Sequence, residues 1–98
     1  MNEVKTFQQA VDTVMAELRD LLIRKQRDYG HRNITDFGEF GVLVRVNDKV
    51  SRLKNLLGNG RTPVNESIDD TWRDIANYAI IALMLRKGIF ELPMDEDN

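Results

Sequence analysis

Apolar residues recur every three or four positions through the first quarter of the chain, at Phe7, Val11, Val14, Leu18, Leu21 and Leu22. That is the period of one helix face and predicts an amphipathic helix over roughly residues 6–28. Thr6 suits the N-cap, with Asn2 as a competitor. Tyr29-Gly30 ends the helix, Gly30 being suited to a left-handed C-terminal position. A second run, Leu43, Val46, Val50, Leu53 and Leu57, predicts a helix over about residues 40–57. Thr35-Asp36 is one starting signal for it, Gly38 and Gly41 blur the start, and Gly58-Asn59-Gly60 closes it as a turn. Pro63 and Asn65 lead into a third helix, about residues 65–88, in which Ser67 and Asp70 have capping-box spacing and Gly88 is the stop. No stretch alternates with period two and no internal repeat is visible. The expected fold is all-α, a bundle of three main helices in a single domain over residues 1–92, followed by an acidic flexible tail at 93–98.

The third helix changes character midway. From Tyr78 to Leu85 almost every residue is apolar. A helix apolar on all sides must be buried on all sides, and two further helices of this length cannot cover it. The pattern therefore predicts a homo-oligomer, with copies of the chain completing the bundle.

Composition narrows the chemistry. The 98 residues include no cysteine and one histidine, His31. That excludes disulfides, thiolate metal sites, cysteine nucleophiles and His-rich zinc sites. The net charge of −2 argues against a general nucleic-acid coat, so nucleic acid is the least fitting partner. No apolar run is long enough for a signal peptide or a membrane span, and the chain reads as cytoplasmic. The charge is unevenly spread. Residues 24–61 hold nine Lys/Arg against four Asp/Glu, and residues 62–98 hold three against eight. Such a pairing either neutralises itself within the bundle or holds an anionic ligand together with its cation.

Three groups of polar residues could carry that ligand. On the third helix, Glu66, Asp70, Asp74 and Asn77 follow one another by four, four and three and share a face. Their mutual repulsion calls for a cation, either an arginine from the second helix or Mg²⁺, which takes one or two carboxylates together with substrate phosphates. The plain alternative is a solvated acidic face near a helix N-terminus. The second helix carries Arg45, Asp48, Lys49 and Arg52. Their spacing fits intrahelical ion pairs, or phosphate contacts by the arginines with Asp48 as a metal ligand or water orienter. The segment KQRDYGHRNITDFGEF places Lys25, Asp28, Tyr29 and Asn33 together with further cations and an aromatic, which is what a nucleotide needs for stacking, hydrogen bonding and charge. It also reads as an ordinary polar connection with Tyr29 packed on the core.

Four stretches in order, KQRDYGHRNI, GVLVRVNDKVSRLKNLL, ESIDDTW and RDIANYAIIAL, resemble the small all-α nucleotide-modification-associated proteins common in bacteriophage genomes. That group is in turn distantly similar to the MazG-like nucleoside triphosphate pyrophosphatases. The resemblance implies a MazG-like helical bundle, a dimer or tetramer, and Mg²⁺ held by acids of two helices to split a nucleotide between its α and β phosphates. DTWRDIANYA is similar to the last metal-binding helix of those enzymes, with Asp74 as its closing aspartate. Thr71 stands where the preceding acid is expected, so Asp70 would substitute from one residue away. On the second helix Asp48 stands alone where two acids are expected, while Asp36 and Glu39 have the right spacing in or near the loop. The reading that follows is a Mg²⁺-dependent, (deoxy)nucleoside triphosphate pyrophosphohydrolase-like enzyme of phage nucleotide metabolism, acting in the host cytoplasm. Asp70 and Asp74 are its catalytic residues and, with Asp48 and Glu66, its metal ligands. Lys25, Arg45 and Arg52 contact phosphates; Asp28, Tyr29, Asn33 and Asn77 face the base or sugar. The alternative is a non-catalytic helical module that binds a nucleotide or docks on a host protein.

Overall fold

The computed structural model of the chain describes residues 3–58 and 65–95, the side chains of Asn65 and Glu66 excepted. Among these residues are four helices, α1 (Phe7–Tyr29), α2 (Arg32–Thr35), α3 (Gly38–Gly58) and α4 (Asn65–Arg86). Among the described residues there is no strand, and no helix is long and apolar enough to cross a membrane. They fall into two compact units, Met1–Gly30 and His31–Asn98.

The first unit is α1. Its start is set at Thr6, in extended conformation, whose hydroxyl accepts from the Gln9 backbone N–H at 3.1 Å. Gln9 reaches back, its Oε1 accepting from the Thr6 N–H, and so completes a capping box that the sequence analysis did not identify. Asn2, the competing cap, lies outside the described residues. Gly30 closes the helix with φ 70° and ψ −162°, its N–H donating to the Gln26 carbonyl at 2.8 Å. The positive φ is as expected, but the extended ψ lies outside the left-handed helical basin. That backbone region is open essentially only to glycine. Phe7, Val11, Val14 and Met15, the apolar stripe of α1, are exposed.

The second unit holds α2, α3 and α4. The sequence analysis placed α2 within a loop, because a single turn is too short to show a period of 3.6. Ile34 anchors it, 5% exposed. The two glycines that blur the start of the next helix mark a tight entry to it. Gly38 holds φ 65°, and a Cβ on Gly41 would collide with the Phe37 side chain. α3 therefore begins two residues before the expected boundary and ends at Gly58; the rest of the expected turn, Asn59 and Gly60, lies outside the described residues. α4 ends in a Schellman arrangement, with the Gly88 N–H on the Leu85 carbonyl and the Ile89 N–H on the Met84 carbonyl. Gly88 is thus the stop, and the helix itself runs to Arg86, two residues short of the expected bound.

One expectation for α4 is corrected. Ser67 does not cap it with Asp70: the helix already begins at Asn65, the Asp70 carboxylate meets Arg73, and the Ser67 carbonyl accepts from the Thr71 hydroxyl. Within one chain the apolar run is only partly covered, as the sequence analysis expects of a single copy. Ile81 is buried, whereas Ala79 and Leu83 are exposed. Residues 93–95 carry no regular structure and are exposed; 96–98, the rest of the expected tail, lie outside the described residues.

α3 and α4 run antiparallel. Glu39, at the start of α3, meets Arg86, at the end of α4, at 3.0 Å, and further along Lys49 meets Asp74. Val42, Leu53, Ile81 and Phe90 are buried in this unit together with Ile34. Each such side chain is worth roughly 1.5–3 kcal/mol relative to exposure. Between the two helices, Phe40, Val42, Leu43 and Val46 face Tyr78, Ala79 and Ala82 across an open groove of about 400 Å³.

Candidate functional site

The site is a polar seam along α3 and α4. Arg45, Lys49 and Arg52 follow one another by four and three and form a basic stripe on α3. Asp70, Asp74 and Asn77 have the same spacing on α4. At the first rung Lys49 Nζ lies 2.9 Å from Asp74 Oδ2, and the two side chains are 31% and 16% exposed. In such a position each charge loses much of its hydration and depends on the other.

The second rung lies one turn away. Since the helices are antiparallel, a step from Lys49 back to Arg45 is matched by a step from Asp74 on to Asn77. Arg45 Nη2 donates to the backbone carbonyl of Asn33 at 2.9 Å, which ties α2 to this rung. Asn77 is 6% exposed, and neither its Nδ2 nor its Oδ1 has a hydrogen-bond partner. The Oδ1 of Asn33 is likewise buried and unpartnered. Buried amide atoms without partners are uncommon in folded chains and call for a specific explanation.

The structure distributes the expected site residues unevenly. Arg45 and Asn33 meet through the Asn33 backbone carbonyl, and Asn77 lies three residues beyond Asp74 on α4. Asp74 is engaged by Lys49, where the sequence analysis expected Mg²⁺ or one of the arginines Arg45 and Arg52. Arg45 is taken up by the Asn33 carbonyl, and Arg52 is exposed. The sequence analysis placed Lys49 on the polar face but gave it no role. Its spacing of four from Arg45 was the available signal. Asp70 is exposed and pairs with Arg73 Nη1 at 3.1 Å, three residues on in the same helix. Asp48 is exposed on α3, and the Glu66 side chain lies outside the described residues. Thr71, in the place of the expected acid, is 2% exposed and bound to its own helix. Lys25, Asp28 and Tyr29 occupy the last turns of α1, all exposed, with the Tyr29 ring 70% so and not packed into a core.

Among the described residues no three His, Cys, Asp or Glu side chains converge as a metal site. The two acids with the strongest claim, Asp70 and Asp74, each face a cation of the chain itself. What the seam offers is a satisfied ion pair beside a buried group of amide atoms in want of partners.

No curated protein and no solved structure matches the chain. The sequence profile described as nucleotide modification associated domain 1 matches residues 25–85, which take in the end of α1, all of α2 and α3, and α4 up to Leu85. The match covers more than half of the chain and includes every residue of both rungs, so this all-helical protein belongs to the nucleotide modification associated domain 1 family.

Proposed function

We propose that the chain binds a nucleotide along the α3–α4 seam, with the base at the Asn33–Arg45–Asn77 rung and the phosphates toward Arg52. The observation that carries this reading is Asn77, almost fully buried with both amide atoms unpartnered. A group that is left unsatisfied in the free chain costs about 1–3 kcal/mol, which a planar polar ligand would recover on binding. Arg45 and Arg52 lie two turns apart, about 10 Å at 1.5 Å per residue, so different parts of one ligand meet different turns. The family's description, nucleotide modification associated, supports the ligand class.

The catalytic form of this reading adds Mg²⁺ on Asp70 and Asp74, with Asp48 and Glu66, and cleavage to a monophosphate and pyrophosphate. The pairs Lys49–Asp74 and Arg73–Asp70 favour binding without cleavage. One experiment separates the two. Nucleoside triphosphates are incubated with the chain and Mg²⁺, products are resolved by chromatography, and binding is measured by calorimetry. Binding without turnover is the expected result. Release of pyrophosphate establishes the catalytic form, and absence of binding overturns both.

We also propose that two chains associate through the α3–α4 face that carries Phe40, Leu43 and Leu83, which are 74%, 59% and 59% exposed. An antiparallel helix pair set about a two-fold axis presents the same residues to its copy, so the face is self-complementary. Light scattering at micromolar concentration should give at least twice the chain mass of 11.3 kDa. A clean monomer overturns this proposal.

A further inference from the structure

The apolar stripe of α1 is narrower than the face of an ordinary surface helix. Phe7, Val11, Val14, Leu18 and Leu21 follow one another by four, three, four and three. That is the strict a/d spacing of a coiled coil, a seam filled by the knobs of another helix that carries the same seam. The structure divides it in two. Leu18 is 7% exposed and Leu21 is half-buried, whereas Phe7, Val11 and Val14 are 80%, 43% and 52% exposed. The first half of α1 thus presents its seam to solvent.

The charge around the open half points to what covers it. Residues 6–16 hold one charged residue, Asp12, which lies off the seam, whereas residues 17–28 hold seven. The positions that flank the open seam are Gln8, Ala10 and Met15, and charge returns to the flank only at Glu17, level with the buried Leu18. In coiled coils the flanking positions choose the partner by opposed charges. Here a partner helix selected by charge finds nothing to pair with, and a second copy of the same segment meets no like charge across the seam.

We propose that the first half of α1 packs seam to seam against α1 of a second copy of this chain. The contact is self-complementary, each copy giving the other the same residues. It is separate from the α3–α4 face proposed above and does not rest on it. From Phe7 to Leu21 the seam spans two heptads, a short coiled coil, so a further contact between the same chains strengthens it by raising the local concentration of the two helices.

The full chain has no cysteine, so single cysteines report the contact directly. A short bis-maleimide should join two chains through Val11→Cys and should not join them through Ala16→Cys, on the opposite face of α1. Val11→Glu places a charge in the seam at a position already open to water in the single chain, so its helix content by circular dichroism should match wild type. Its assembly, followed by light scattering on dilution, should dissociate at a concentration about tenfold or more above that of wild type. If Val11→Glu does not fold, the two cysteine variants decide. Absence of a cross-link at Val11→Cys, or equal cross-linking at Ala16→Cys, overturns this inference, as does a folded Val11→Glu that dissociates like wild type. Leu83→Glu separates the two proposals. A loss of assembly in Leu83→Glu alone leaves the α3–α4 pairing standing without the α1 contact, and a loss in Val11→Glu alone does the reverse. A monomeric wild type overturns both.

Discussion

The two rungs of the seam are one helical turn apart and are built on opposite principles. At Lys49–Asp74 two charges meet at 2.9 Å and satisfy each other. At Asn33–Arg45–Asn77 the charged group is spent on a backbone carbonyl, and three neutral amide atoms are left without partners. The contrast teaches that burial alone does not mark a binding site. Asp74 and Asn77 are both well covered, yet only Asn77 carries an unmet hydrogen-bonding demand. The first rung fastens α3 to α4, and the second leaves buried amide atoms without partners.

Substitution at each rung should therefore move stability in opposite directions. The largest effect is expected for Asp74→Asn, which leaves a partly buried Lys49 ammonium without its carboxylate. The loss should be about 1–3 kcal/mol, below the range for fully buried pairs because Lys49 is partly solvated. In a domain of this size that lowers the melting temperature by roughly 4–8 °C per kcal/mol. The wild-type melt should be indifferent to Mg²⁺ and to chelator. An unchanged or raised melting temperature in Asp74→Asn, with a wild type stabilised by Mg²⁺, would return Asp74 to the role of metal ligand.

Asn77→Leu should do the reverse. It replaces an unpartnered amide with an apolar group of similar size, so the free chain should gain about 1–2 kcal/mol. Nucleotide affinity should fall about tenfold or more with the loss of two hydrogen bonds. A variant that loses stability shows Asn77 to be a structural group, and the two rungs are then alike.

The comparison is sharpened by removing the first rung as a whole. Lys49→Met combined with Asp74→Leu takes out both charges, and buried pairs replaced in this way are often neutral or stabilising. The double variant should melt well above Asp74→Asn and close to wild type, which a double-mutant cycle would read as coupling between the two residues. The smallest effect is expected at Arg52. Being exposed, Arg52→Gln should change stability by no more than about 0.5 kcal/mol. It should weaken triphosphate binding more than nucleoside binding, and this difference should shrink as salt is raised. Equal loss for nucleoside and triphosphate would place the phosphates elsewhere.

Much of the helical framework was legible in the order of residues. The apolar periods of α1, α3 and α4 place each helix to within a few residues, because a stripe repeating at 3.6 has one regular solution. Thr6, Gly30 and Gly88 mark ends correctly, since cap and stop chemistry is local. α2 was not legible, because one turn has no period. Of the candidate site, the types and faces of Arg45, Asn77 and Asp74 could be read from spacing alone.

What spacing could not decide is which side chain spends itself on which. Three cations at four and three residues along α3 are equivalent on a helical wheel. Only the antiparallel register of α4 puts Lys49 against Asp74, and only the turn of α2 brings the Asn33 carbonyl to Arg45. Whether a polar atom is satisfied depends on geometry at the scale of a hydrogen bond. That is set where elements from distant parts of the chain meet, and it is why the sequence determined the helices and the stock of polar groups while the tertiary structure decided which of those groups find partners.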